Sequence, residues 1–91
     1  MNEDSIPNFA ADVVLQFDEP ADTWLMVDRE RSLVLDASAY SFIQLIDGSR
    51  SVAEITTLVA ERTGTPKPQL LADCLTLFED LEDRSLITAD W

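Results

Sequence analysis

Ninety-one residues suit one domain with a single modest core, and an apolar content of 46% belongs to a folded chain, not to a disordered acidic tail. Eighteen acidic against six basic side chains give a formal charge of −12, which repels nucleic acid and anionic lipid and suits either a basic peptide or partner patch or simple solubility. Histidine is absent, which removes the commonest general base and the commonest zinc ligand, and the one cysteine, Cys74, has no partner for an internal disulfide, as expected in a reducing cytoplasm.

Residues 1–11 read as a flexible arm, because Pro7 interrupts regular structure and Ile6 and Phe9 are its only large anchors. The arm is acidic and lacks the basic start and apolar run of a secretion signal. No stretch approaches the roughly 18 apolar residues of a membrane span. The domain proper is expected over residues 12–91. Val13, Leu15 and Phe17 alternate with Asp12, Val14 and Gln16, the period-two mark of a strand. Asp18-Glu19-Pro20-Ala21-Asp22 ends it in a turn. Thr23–Val27 and Ser32–Leu35 are predicted as the second and third strands. The Asp28-Arg29-Glu30-Arg31 connection has hairpin length, which makes these strands antiparallel neighbours.

At Asp36 the pattern turns helical. Its carboxylate suits an N-cap, Ala39, Phe42, Ile43 and Ile46 share a face, and Asp47-Gly48 is expected to close this first helix. Ser51-Val52-Ala53-Glu54 matches a capping box that opens a second helix with an apolar stripe of Val52, Ile55, Leu58 and Val59. Arg62 suits its last turn and Gly64 its C-terminal cap. Thr65-Pro66-Lys67-Pro68 leads into a third helix. Leu71, Cys74, Leu75, Phe78 and Leu81 or Glu82 follow one face of it, and Leu70, Leu77 and Leu81 a second, offset face. One apolar face suffices to pack a helix, so the second needs more core or a partner. Leu86-Ile87 is expected to dock back as a short extended piece, Trp24 to join the core, and Trp91 to fray unless a partner covers it. The sum is an α+β fold, a three-stranded antiparallel sheet followed by three helices.

This order resembles the PqqD-like family of recognition domains for ribosomally made, modified peptides. The likeness is carried by Leu33-Val34-Leu35-Asp36-Ala37-Ser38-Ala39, by Leu45-Ile46-Asp47-Gly48-Ser49-Arg50-Ser51-Val52-Ala53-Glu54-Ile55, and by Asp73-Cys74-Leu75-Thr76-Leu77-Phe78-Glu79-Asp80-Leu81. The chain departs from the family pattern at Asp28-Arg29-Glu30-Arg31, where a Pro-Glu-Gly turn is frequent, at Ser85, where Gly is frequent, and at Asp36, where Asn is frequent. The resemblance implies a winged helix-turn-helix-like fold without a cofactor. It implies non-catalytic binding of the leader segment of a precursor peptide, added as a strand beside the third strand and lying in a groove against the third helix. The leader would be presented to a maturation enzyme, either a radical SAM enzyme or a lasso-type leader peptidase. The implied peptide-binding residues are Ser32, Leu33, Val34 and Leu35 on the strand and Leu70, Cys74, Leu77 and Leu81 on the helix, with Asp73 and Asp80 beside them to steer basic leader residues. Cys74 also has the plainer reading of a small apolar core residue. Exposed edges would leave the chain a monomer or a weak homodimer.

Three other readings are weaker. An enzyme would have to work with scattered carboxylates and no implied apolar pocket. An acidic carrier protein needs a serine opening a helix after Asp, which Asp36-Ala37-Ser38 and Asp47-Gly48-Ser49 match only loosely, and a helical N-terminal third. A DNA-binding winged helix would set Glu79, Asp80, Glu82 and Asp83 of its third helix against phosphates, which leaves a protein-interaction role for any such fold. Random duplex DNA is accordingly expected to run unshifted with this protein in an electrophoretic mobility assay.

Overall fold

The computed structural model describes residues 1–90, with the backbone alone at Asp90, so the expectation for Trp91 lies outside the described residues. Eight elements follow in chain order: β1 (Ile6–Phe9), β2 (Val14–Asp18), β3 (Thr23–Val27), β4 (Ser32–Leu35), α1 (Ala37–Ile43), α2 (Val52–Thr63), α3 (Lys67–Asp83) and β5 (Ile87–Asp90). Strands β2, β3 and β4 form one antiparallel sheet in that order, and β1 pairs antiparallel with β5 in a separate ribbon. The α+β architecture, the three-stranded sheet and the three helices agree with the sequence reading.

The register of the larger sheet sorts its side chains by face. Leu15, Met26 and Leu33 form one row and Phe17, Trp24 and Leu35 the next, both on the core side. Gln16, Leu25 and Val34 form a row on the other side, beside Val14, Val27 and Ser32. Met26 and Leu35 are buried on the core side, while Val14 and Val34 are exposed on the outer side. The core beneath the sheet joins Phe42 and Ile43 of α1, Ile55 and Val59 of α2, and Cys74, Phe78 and Leu81 of α3. Trp24 is half-buried and packs against this core, as expected.

Both caps predicted for the first two helices form. The Asp36 carboxylate accepts from the Ala39 N–H at 2.7 Å. Ser51 Oγ accepts from the Glu54 N–H at 3.1 Å, while Glu54 Oε1 accepts from the Ser51 N–H at 3.2 Å. Gly64 closes α2 in the left-handed conformation, with φ of 74°. Helix α1 ends sooner than its apolar pattern suggests, at Ile43 and not at Asp47. The next amides bond three residues back, Leu45 to Phe42 at 3.2 Å and Ile46 to Ile43 at 3.1 Å, which tightens the turn and still buries Ile46. Gly48 then turns the chain at φ of 80°, with the Asn8 side chain 3.1 Å from where a Cβ would stand.

The expectation of a loose arm over residues 1–11 is corrected. Ser5 and Pro7 are buried, and Ile6–Phe9 is a strand whose partner is β5, the segment expected to dock back. The arm also completes α2. A helix start leaves its first N–H groups without partners. Here the Val52 N–H donates to the Ser5 carbonyl at 2.9 Å and the Ala53 N–H to the Glu3 carbonyl at 2.8 Å. A local pattern of short apolar stretches around a proline carries no trace of such distant bonds. Removing residues 1–5 strips two acceptors from the buried start of α2. That truncation is expected to lower unfolding stability by about 1–3 kcal/mol in urea titration.

Candidate functional site

Strand β4 hydrogen-bonds only to β3, so among the described residues its other side is open. Which groups face that side follows from the hairpin. The Asp28 N–H donates to the Arg31 carbonyl at 3.0 Å, which marks these two as a bonded pair. Antiparallel pairs alternate between bonded and non-bonded, so Met26/Leu33 and Trp24/Leu35 are bonded while Val27/Ser32 and Leu25/Val34 are not. The main-chain groups of Ser32 and Val34 therefore point outward, two donors and two acceptors on an open edge. The Thr23 hydroxyl donating to the Leu35 carbonyl at 3.3 Å agrees, since it places that carbonyl on the β3 side.

The turn that sets this register has no glycine at its tip and is built by one carboxylate. Asp28 Oδ1 accepts from the N–H groups of Glu30 (2.8 Å) and Arg31 (2.7 Å), and Oδ2 accepts from the Arg31 guanidinium at 3.2 and 2.9 Å. The Glu30 N–H, then the Arg31 side chain, hold the Asp28 carboxyl below the usual carboxylate range. A depressed carboxylate pKa stabilises the fold above the ordinary carboxylate pKa and stops doing so as pH falls through the lowered value. This turn is therefore intact at neutral pH and loosens only in acid.

Where β4 runs into α1, two hollows meet at Asp36. One, of about 210 Å³, lies between Trp24, Leu35 and Tyr40 with Asp22 and Asp36 at its margin. The other, of about 170 Å³, lies between Ala39 and Phe42 of α1 and Asp73 and Leu77 of α3. Both are smaller than the roughly 300 Å³ at which small-molecule sites begin, and match single side chains. The Trp24 and Tyr40 rings stack with centroids 4.7 Å apart and planes 11° from parallel, and Phe17 meets Trp24 edge-on at 5.2 Å. These contacts stiffen the wall of the first hollow. Asp22, Asp36 and Asp73 line the two hollows, and no basic side chain lines either.

The structure sorts the site residues named from the sequence. Ser32 and Val34 lie exposed on the open edge, Leu33 is half-buried and Leu35 buried beneath it. Leu77 and Asp73 line the second hollow. Leu70, Cys74 and Leu81 are corrected to core residues. With Phe78 they make one buried stripe along α3, because the helix lies against α2 and β5 and its two apolar faces merge into a single wide one. Only Leu77 of the second face reaches a hollow. Asp80 lies exposed outside both hollows and accepts from Arg84 Nε at 3.0 Å one turn on. Asp22, Asp36 and Tyr40 were not named as lining residues. The only sequence signal for Asp36 was its capping role, and Tyr40 carried none beyond flanking an apolar face.

These features define a class of small α+β domain, with an open antiparallel edge beside hollows of side-chain size. Residues 23–87 match the family model described as Coenzyme PQQ synthesis protein D (PqqD), and the chain belongs to that family. Among curated relatives, a PqqA binding protein of Bradyrhizobium diazoefficiens is 30% identical over 97% of this chain and 85% of its own. Another, from Rhodopseudomonas palustris strain HaA2, is 33% identical over 97% and 86%. Among solved structures, the PqqD truncation of Methylobacterium extorquens PqqCD, described as a stand-alone recognition element for ribosomally synthesized and post-translationally modified peptides, superposes with a TM-score of 0.79. It has 24% identity over 90% of this chain and 87% of that one, and so shares the fold. PqqD from Xanthomonas campestris has a TM-score of 0.58 at 31% identity, covering 94% and 97%.

Cys74 is fully buried, and burial pushes its thiol up to about 12 against a smaller opposing effect of the Thr56 hydroxyl. The neutral thiol is a poor nucleophile. In the native protein at about pH 8, Cys74 is expected to resist an aromatic disulfide reagent and to react fully once denaturant is added.

Proposed function

We propose that this protein binds the leader segment of a ribosomally made precursor peptide without catalysing its modification. The leader adds as a strand beside β4, held by the outward main-chain groups of Ser32 and Val34, and presses side chains into the hollows bordered by Tyr40 and Leu77. The carrying observation is the parity of the β3–β4 ladder, which leaves two donors and two acceptors without partners on a fixed edge. The curated relatives described as PqqA binding proteins support a PqqA-type precursor as the guest. Asp22, Asp36 and Asp73 favour leaders with basic residues near the docked segment, and their effect falls on encounter rate more than on affinity.

The bound leader is handed to a maturation enzyme in the cytoplasm. Membership of the PqqD family favours a radical SAM enzyme over a leader peptidase. Three helices followed by β5, which pairs with β1, support a winged helix-turn-helix-like reading of the helical half, turned from nucleic acid to peptide by its charge. The domain acts as a monomer or weak homodimer, with the β4 edge given over to the leader.

Calorimetric titration with a PqqA-type precursor peptide is expected to give a Kd in the nanomolar to micromolar range, about −12 to −8 kcal/mol. Val34→Pro removes an outward donor without touching a β3 bond, and is expected to raise Kd tenfold or more in a folded protein. Leu77→Ala is expected to weaken binding with little loss of stability. Leu70→Ala, in the core, is expected to cost about 2–5 kcal/mol of stability. Unchanged affinity in folded Val34→Pro protein would count against docking at β4.

A further inference from the structure

The outer face of the larger sheet turns away from the hollows, yet it carries an apolar pair, Val34 of β4 and Leu25 of β3. Val34 is 68% exposed there, an unusual setting for an aliphatic side chain on an open edge. Behind it on the same face lies Leu25, half-buried, and the neighbouring row adds Val27. Polar Gln16 stands at the far end of the Leu25 row, on β2. The Val34 row thus changes character across the sheet, from Gln16 on β2 to aliphatic Leu25 and Val34, while the next row runs from Val14 through Val27 to Ser32. Solubility alone favours a charged residue at the open edge, so an aliphatic one there calls for a use.

A strand seated on the outward groups of Ser32 and Val34 sends its side chains alternately to the two faces. The guest residue opposite Leu33 points to the core side, toward the hollow bordered by Leu77. The guest residue opposite Val34 points to the outer side, where Val34 and, one strand further, Leu25 lie in its row. We propose that this outer face is the second half of the peptide site: Val34, backed by Leu25, grips the outward side chain of the guest. The recognised segment therefore contains two successive apolar residues, one for each face, and not an alternation of apolar and polar ones. The inference rests on the reading that the leader docks along β4, and it adds a second determinant of which leaders fit. Cross-strand apolar pairs change affinity by small factors each, so Val34 tunes selection among leaders that the edge already admits.

The test joins trapping to affinity. A panel of precursor peptides, each with one cysteine, is mixed under thiol–disulfide exchange with full-length Val34→Cys or Leu33→Cys protein, Cys74 being too buried to compete. Val34→Cys is expected to trap one leader position most strongly, and Leu33→Cys the position adjacent to it. Alanine at the leader position trapped by Val34→Cys, titrated against wild-type protein, is expected to weaken binding about threefold or more. Val34→Thr, of equal shape and strand preference, is expected to weaken binding of the unaltered peptide about threefold, and Val34→Lys at least tenfold. Exposure of Val34 keeps these variants folded, which circular dichroism checks. Trapping at adjacent positions with all three affinities unchanged would overturn the outer-face proposal and leave docking at β4 standing. Trapping at neither cysteine would overturn both.

Discussion

The carbonyls of Glu3 and Ser5 accept the first amides of α2, and the four residues that follow pair with β5. A segment tied down by such bonds cannot also lie along a distant strand, and this constraint reaches across the molecule. The N-terminal segment is the natural candidate to cover a bare edge of the domain's own larger sheet. Its bonds are committed elsewhere, and β4 stays open. The same commitment explains the crowding at Gly48, where the Asn8 side chain closes over a turn that only a residue without Cβ passes comfortably.

A bare edge is useful only if its register is fixed, and here the fixing is electrostatic as much as steric. Asp28 gathers two backbone amides and one guanidinium around a single carboxylate, so the hairpin has one register without Asn-Gly or Gly at its tip. On the far side of β4, Trp24, Tyr40 and Phe17 form a rigid aromatic wall. The edge is therefore held by a polar knot at one end and stacked rings at the other. That pre-organisation lowers the ordering cost a flexible guest must meet on binding.

Most of the domain was legible from local chemistry. Strands β3 and β4 stand where alternation and the charged connection put them, and the caps at Asp36, Ser51 and Gly64 form as their side chains allow. Three things were not legible, each for want of information about distant partners. Strand β1 contains a proline and depends on residues about eighty positions away, so no local period announces it. Helix α1 stops early because tertiary packing, not the apolar pattern, sets where Ile46 sits. The two apolar faces of α3 look separable on a helical projection, but a helix flanked by α2 and β5 buries Leu70 and Leu81 together with Cys74 and Phe78. The edge strand of the candidate site was visible in the sequence. The groove wall was visible only in part, at Leu77 and Asp73, because the residues that complete it come from the start of α1 and from β3.

The antiparallel β1–β5 ribbon sets Ile6 directly across from Asp90, so the first and last strands of the domain run side by side. A linker from β5 back to the segment that precedes β1 would close the backbone into a ring, and it could then be cut anew at an exposed loop, giving a circular permutant with the same sheet and helices. The same adjacency makes the domain easy to splice into a surface loop of a larger protein. The host would need to attach beside β5 and before the segment that caps α2, and the recognition edge would travel with the insert unchanged.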